Sequence, residues 1–390
     1  MKVTITPSPL SGTMVMPPSK SYSHRALICA YLGGGQALNL GDSADIRATR
    51  QCMEALKMGG VMDANESGST LRFMIPLALA VNGKVEIKGS QRLMERPLDD
   101  YFRIFDEQGI EYRLENCRLT ANGRLKAGEY RLRGDVSSQF ITGLLFALPM
   151  LEGDSKVIIT TELQSVGYVD MTIEVLSRFG IKIERTDYGY FVAGGQRYSP
   201  CDYTVEGDFS QAGFFLAMGD VDCRGLNPDS IQGDRESVEV YRRMGMKIVQ
   251  TDDGYTTNGR ATTPITVDVS QIPDFVPVLA CVMATVPGES RIVNAGRLRI
   301  KESDRLAAIT EELRKLGADV DEGEDYLIIR GGKPLHGAEC SSHNDHRIAM
   351  ALATLSPHVD GKLTIDGAES VNKSMPDFWE RFKSLGGKIV

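Results

Sequence analysis

Five short segments of the chain put cations and hydroxyls where a helix should begin. They are Ser19-Lys20-Ser21-Tyr22-Ser23-His24-Arg25, Ser67-Gly68-Ser69-Thr70-Leu71-Arg72, Asp135-Val136-Ser137-Ser138-Gln139, Lys301-Glu302-Ser303-Asp304-Arg305 and Asn344-Asp345-His346-Arg347. Each runs into an apolar stretch with near-helical spacing. A helix start exposes unpaired N–H groups and a partial positive charge, so it attracts anions before any side chain contributes. Lys or Arg added there suits phosphate or carboxylate. A single such segment reads as readily as a capped helix with solvated charge. Five in one chain point to several helices aimed at a common anionic ligand.

Two carboxylates stand among these cations. Leu306, Ile309, Leu313 and Leu316 mark a buried helical face after Lys301-Glu302-Ser303-Asp304-Arg305,. A helix beginning near Glu302 makes Glu302 and Arg305 neighbours. That is either a surface ion pair of little consequence or a carboxyl group held among cations for proton transfer. Asp274, in Ile272-Pro273-Asp274-Phe275 ahead of the apolar run Val276–Met283, is either a cap or a general base in a closed cleft,. Asn344 is expected as the N-cap of the last segment. His343 and His346 match the usual zinc spacings poorly, so no metal is expected. The chain has no G-x-S-x-G elbow, no G-x-x-x-x-G-K-[ST] loop and no G-x-G-x-x-G fingerprint, so ATP, NAD and a serine nucleophile are not expected either,.

The elements that would carry these residues recur. Six times an amphipathic helical stretch ends at Gly and leads into strand-like alternation, at Gly59, Gly109, Gly180, Gly245, Gly317 and Gly386,. Stretches such as Ile181–Val192 read as hairpins. Six α/β units suit two domains of three, with a boundary near 203–208. The first strand, before Pro17-Pro18, is expected to pair with the second half, so that the chain crosses between domains twice. The length of 390 residues agrees with two domains,. A formal net charge of −8 argues against a broad nucleic-acid surface but allows a local basic cleft,. The seven cysteines are dispersed and odd in number, which fits a reducing cytosol better than a disulfide framework,. Met1–Pro7 reads as a strand rather than a signal peptide, and the apolar runs are too short to span a bilayer. A cytoplasmic location is expected.

In this order the motifs resemble the 5-enolpyruvylshikimate-3-phosphate synthase family over essentially the whole chain. The matching segments are Pro18-Ser19-Lys20-Ser21-x-Ser23-x-Arg25, Gly68-Ser69-Thr70-Leu71-Arg72, Glu95-Arg96-Pro97, Val136-Ser137-Ser138-Gln139-Phe140 and Ser165-x-x-Tyr168. They continue with Ile272-Pro273-Asp274, Lys301-Glu302-Ser303-Asp304-Arg305, Asn344-Asp345-His346-Arg347 and Lys373-Ser374-x-Pro376-Asp377. The resemblance implies an α/β (α+β) fold: a two-domain inside-out α/β barrel, each domain three βαβαββ-like repeats with helix N-termini facing the interdomain cleft. The domains would be 18–204, mainly for shikimate 3-phosphate, and 1–17 plus 205–390, mainly for phosphoenolpyruvate. The implied reaction transfers the enolpyruvyl group of phosphoenolpyruvate to the 5-hydroxyl of shikimate 3-phosphate through a tetrahedral intermediate, releasing phosphate. No cofactor, nucleic acid or membrane takes part, and a monomer is expected.

By the same resemblance, Ser21 and Arg25 would hold the shikimate ring and its carboxylate. Ser137, Ser138, Ser165 and Lys301 would hold its phosphate, and Gln139 and Tyr168 would line the ring. Lys20, Gly68, Arg96, Arg305, Arg347 and Lys373 would hold phosphoenolpyruvate, with His346 also in the binding set. Asp274, Glu302 and Lys20 would be catalytic: Asp274 for the hydroxyl proton, Glu302 for the methylene carbon. Glu66 and Arg297 depart from the residues common in the family, and Arg297 receives no role. Gly68 matches the glyphosate-sensitive form. Two other readings remain: the related enolpyruvyl transferases acting on UDP-N-acetylglucosamine, which use a Cys in a Gly-rich loop where this chain has Glu115-Asn116-Cys117-Arg118, and a non-enzymatic repeat scaffold such as a nucleic-acid clamp.

Overall fold

The computed structural model describes residues 1–390. The chain forms two compact units, Pro18–Val205 and Met1–Pro17 with Glu206–Val390. Each has its own apolar core, the first around Phe73, Leu144 and Phe179, the second around Phe215, Leu279 and Leu352.

One motif builds both units. In Pro18–Val205, strand Met62–Asp63 leads through helix Gly68–Asn82 to a parallel strand, Lys84–Lys88. Helix Asp99–Gln108 follows, and then the antiparallel hairpin of Glu111–Glu115 and Arg118–Asn122, whose second strand pairs with Lys84–Lys88. The same order recurs from Glu129–Leu132 to Gly189–Val192 and from Thr266–Asp268 to Leu327–Gly331. Parallel strands need a crossover and a helix supplies it; antiparallel ones need only a tight turn. The motif therefore follows from where the sequence places helical periodicity and where it places Asn-Cys, Asp-Tyr or Asp-Asp turns.

Three copies depart from this plan because of the path of the chain. Strand Gly12–Val15 pairs in parallel with Val221–Arg224, so the whole of Pro18–Val205 is inserted between the first strand and the first helix of that copy. The last copy begins at Glu339–Ser341, and the first strand of the chain, Lys2–Thr6, lies between Leu363–Asp366 and Lys388–Ile389. The copy containing the parallel pair Ala37–Leu38 and Tyr203–Thr204 has no hairpin. Its second helix, Ala44–Met58, runs after only three residues into strand Met62–Asp63 of the next copy. The result is a mixed α/β protein of five four-stranded and two two-stranded sheets, none of which closes into a barrel.

The two helices of a motif differ in kind. The first, as in Ser138–Ala147, Val276–Thr285 and His346–Leu355, is almost entirely buried and apolar all round, as expected of a helix inside a domain,. The second is amphipathic and ends at one of the six recurrent glycines, whose φ angles lie between 69° at Gly109 and 99° at Gly386. A left-handed residue stops a helix and turns the chain toward the next strand, and only glycine does so without a Cβ clash. No helix is long and apolar enough to cross a membrane.

Helix Ser138–Ala147 packs on helix Gly68–Asn82 at Gly143. A Cβ built there would lie 2.4 Å from both the Arg72 carbonyl oxygen and the Tyr101 hydroxyl, which itself donates to that carbonyl at 2.6 Å. Gly143→Ala is expected to lower stability by about 1–3 kcal/mol, the usual range for overpacking. An unchanged urea midpoint would show that these helices can separate without loss.

Candidate active site

The five segments all lie at helix starts. In Pro18–Val205, Ser19, Ser67 and Ser137 cap helices Lys20–Gly33, Gly68–Asn82 and Ser138–Ala147, each accepting from a backbone N–H two or three residues on. Ser165 precedes Val166–Arg178 with a left-handed φ of 57°. The expected binding residues Lys20, Ser21, Gly68, Ser138 and Tyr168 thus occupy first turns, where unpaired N–H groups are available.

Polar side chains tie these helix starts together. The Lys20 ammonium donates to Asp45 at 2.8 Å, and Asp45 lies in the first turn of Ala44–Met58. Thr49 and Thr70 hydroxyls meet at 2.6 Å, Thr70 donates to Ser67 at 2.8 Å, and the His24 ring contacts Thr49 at 2.7 Å. Full burial pushes the His24 pKa down to about 3, which keeps the ring neutral within this hydroxyl chain,. Arg25 donates to the Thr172 hydroxyl at 2.8 Å and to the Ser21 and Tyr168 carbonyls at 2.7 Å each. Burial lowers its pKa to about 10, so it remains a cation. Gln139 donates to the Ser69 hydroxyl at 3.0 Å and accepts from Arg72 at 3.1 Å. A Cβ on Gly68 would stand 2.7 Å from Nη1 of Arg96 and 3.1 Å from Nη1 of Arg72. A side chain at this position would therefore displace the two guanidinium groups that crowd it. Arg72 was assigned no role from sequence. It is buried and central here, and its only sequence signal was its place in the first turn and a half of a Ser-capped helix.

The other unit gathers charge instead. Arg305 is 1% exposed and makes four N–H···O contacts with three carboxylates. It donates to Asp274 at 2.8 Å, to Glu302 at 2.7 Å, and to Asp345 at 2.7 and 3.4 Å. Arg347 reaches Asp274 at 3.1 Å and the Ser210 hydroxyl at 2.8 Å. The Lys301 ammonium lies 3.5 Å from Asp274, and that of Lys373 lies 4.0 Å from Glu302. Four cations thus face three carboxylates. Burial pushes the Asp274 carboxyl up, but Arg347, Lys301 and Arg305 outweigh it and hold the group well below the usual carboxylate range. Burial, with Arg297 and Arg305 nearby, pushes Lys301 down to about 8 against the pull of Asp274.

Two sequence expectations shift. The helix after Lys301 begins at Arg305 with Asp304 as its cap, because Asp304 accepts from Ala307 N–H. Glu302 therefore meets Arg305 across a bend rather than along a helix. The N-cap of His346–Leu355 is Asp345, not Asn344; Asn344 instead takes a left-handed φ of 54°. Asp345, unassigned from sequence, thus holds both Arg305 and the helix start. Buried His346 sits beside it in the first turn, with Nδ1 3.7 Å from Asp345.

Cys117 occupies the tight turn of a hairpin, with φ of 49° and 59° at Asn116 and Cys117, and not a glycine-rich loop. A cavity of about 430 Å³ lies by the C-terminal ends of Ala44–Met58 and Gly68–Asn82, roughly 20 Å along the second helix from Gly68 at ~1.5 Å per residue,. It is not part of the cluster described above.

The sequence matches the family model for EPSP synthase (3-phosphoshikimate 1-carboxyvinyltransferase) over residues 5–61 and 58–382. The chain belongs to the EPSP synthase family. It is 49% identical to a 3-phosphoshikimate 1-carboxyvinyltransferase of Clostridium kluyveri, the alignment covering 99% of this chain and 98% of that protein. A relative of the same description from Clostridium perfringens is 45% identical with the same coverage. Among solved structures, EPSP synthase from Acinetobacter baumannii has a TM-score of 0.79 at 23% identity, covering 100% of this chain and 99% of that one. The enolpyruvyl transferase NikO from Streptomyces tendae has a TM-score of 0.80 at 17% identity, covering 100% and 98%. These two establish likeness of fold.

Asp345→Ala removes one partner of a fully buried pair together with a helix cap. It is expected to lower stability by about 3 kcal/mol or more, read as a fall in the urea midpoint. A midpoint within error of the parent would mean that Glu302 and Asp274 alone satisfy Arg305.

Proposed function

We propose that the chain transfers the carboxyvinyl group of phosphoenolpyruvate to the 5-hydroxyl of shikimate 3-phosphate, with release of phosphate, in aromatic amino-acid biosynthesis. The observation that carries this reading is the pair of electropositive clusters in a chain of net charge −8, each built at helix starts from family motifs. Both substrates are small anions, and a catalyst for them needs cations that stay fixed while charge moves.

In this reading the hydroxyl-rich helix starts of Pro18–Val205 receive shikimate 3-phosphate: Ser137, Ser138 and Ser165 its phosphate, Ser21 and Arg25 its carboxylate side, Gln139 and Tyr168 its ring. Lys20, Gly68, Arg96, Arg305, His346, Arg347 and Lys373 serve phosphoenolpyruvate. Lys301 serves the shikimate phosphate. Arg305 makes four contacts to carboxylates, so we assign it as much to holding Asp274 and Glu302 as to binding substrate.

Glu302 gives a proton to the methylene carbon, which makes the adjacent carbon electrophilic. The 5-hydroxyl attacks that carbon as Asp274, held ionised by Arg347, Lys301 and Arg305, orients and accepts its proton,. Glu302 then takes a proton from the new methyl group, the enol ether forms, the C–O bond to phosphate breaks, and the proton held by Asp274 leaves with the phosphate. The fixed cations, Lys20 among them, stabilise the departing phosphate. Every group invoked lies in one chain and all seven cysteines are free thiols,, so we propose a monomer working in the cytoplasm. The tight-turn setting of Cys117 disfavours the rival in which a loop cysteine takes part.

Phosphate release should require both substrates; release with either one alone, or none with both, would reject the reading. Glu302→Gln should retain substrate binding and lose most turnover, since Gln keeps the shape and cannot cycle a proton. Near-parental kcat would remove Glu302 from the chemistry. In the free protein Lys301 loses its proton as pH passes about 8, because burial disfavours the cation. The KM for shikimate 3-phosphate should therefore climb above that pH. A flat KM from pH 7 to about 9.5, or the same climb in Lys301→Arg, whose charge persists, would detach Lys301 from the phosphate.

A further inference from the structure

The segment leading to Arg347 is under local strain. Strand Glu339–Ser341 ends, and His343 and Asn344 then take consecutive left-handed φ angles of 51° and 54° before helix His346–Leu355 begins. A residue with a Cβ resists that region, and two in succession need outside support. Part of the support is local: His343 N–H donates to the Ser341 hydroxyl at 3.0 Å and Asn344 N–H to the Ser342 hydroxyl at 3.2 Å.

The rest comes from one buried carboxylate. Glu312 is fully buried on helix Arg305–Lys315, two turns beyond Arg305 and so on the same face,. It accepts from Ser341 N–H at 3.1 Å and pairs with His343 Nε2 at 2.6 Å. Lys315 donates to it at 2.9 Å. Arg305 and Glu312 therefore grip the segment at two points, Arg305 through Asp345 and Glu312 through Ser341 and His343. Glu311 Oε2 is 4.0 Å from His343 Nε2, and the Lys315 ammonium is 2.7 Å from Glu311. With that ammonium on both carboxylates the trio already has its cation, which argues against a metal there.

We infer that Glu312 and His343 are positioning residues that set Arg347 for phosphoenolpyruvate. The inference rests on the function proposed above. Neither residue touches substrate. They act by holding the strained turn, and with it the start of the helix that presents Arg347 to Asp274 and Ser210. The groups facing His343 are Glu312, Glu311 and Lys315. Its hydrogen bond to Glu312, then the nearby acidic charge, raises its pKa above 6.5 against the effect of burial and Lys315. A raised histidine pKa means that the charge-assisted grip is complete below pH 6.5 and fades as pH rises through the folded value,.

His343→Asn tests this, because Asn accepts left-handed φ better than other residues and is too short to reach Glu312. The KM for phosphoenolpyruvate should rise about tenfold, equivalent to ~1.4 kcal/mol. The KM for shikimate 3-phosphate and kcat should stay near the parental values, while the thermal midpoint falls modestly because Glu312 loses a buried partner,. The ratio of mutant to parental KM should be largest below pH 6.5 and shrink above it. Glu312→Gln should act in the same direction, and the double variant should be little worse than either single one, since both remove one contact. Backbone amides of 341–347 should exchange hydrogen faster in each variant. An unchanged phosphoenolpyruvate KM in a parent that releases phosphate, or an equal rise in both KM values, overturns the inference and leaves the proposed reaction standing. Absence of phosphate release from the parent with both substrates overturns the two together.

Discussion

The buried Arg305 guanidinium is the constraint on which the rest of its unit depends. Removing a cation from water carries a heavy desolvation penalty unless its N–H groups are paired. Here the partners come from three places: Asp274 before the helix Val276–Thr285, Glu302 on the bend that follows the 3-10 turn Gly296–Ile300, and Asp345 at the start of His346–Leu355. The chain must bring these segments to one point, and two of them belong to the first helices of successive motifs. Asp345 adds a second function by accepting from Arg347 N–H, so one carboxylate fixes both a buried cation and the helix that carries another. With Lys301, Arg347 and Lys373 close by, cations outnumber carboxylates, which suits the cluster to receive an anion.

The other unit solves the same problem with neutral groups. Lys20 has Asp45, but most of the tethers between helix starts are hydroxyls and amides: Thr49 to Thr70, Thr142 to Thr172, Gln139 to Ser69. Such bonds fix the orientation of the helix starts through dipoles. The contrast suits the division of work proposed here. In that proposal one unit holds a polyhydroxylated phosphate ester, and the other holds proton-transfer carboxylates that must stay ionised or cycle.

The repeat explains why so many of the proposed site residues fall at helix starts. The body of the first helix of each motif is largely buried in the core, so its start is the part open to a ligand. Its N-terminal end follows a strand and carries unpaired N–H groups. Polar sequence can therefore collect there without disturbing the interior. Ser19, Ser67, Ser137, Asp208 and Asp345 cap five of these helices, and Asp274 stands in the 3-10 turn ahead of the sixth.

Residue order alone settles the local features: where helices start and stop, the recurrence of the motif, and the family. Helical periodicity, Ser and Asp caps and stop glycines act within a few residues, so they can be read without a fold. Even there the reading slipped where two candidate caps were adjacent or close: Asp345 rather than Asn344, Asp304 rather than a start near Glu302. A cap is chosen by which side chain can reach the open N–H, and neighbours in sequence compete for it. The tertiary structure decided which charges meet. Asp274 lies 31 residues before Arg305 and Asp345 lies 40 after it, separations at which spacing carries no information. Arg72 and Glu312 went unassigned for the same reason. Each looks like one polar residue on a helix until packing removes the water and leaves a guanidinium or a carboxylate to be satisfied by whatever the neighbouring motif presents.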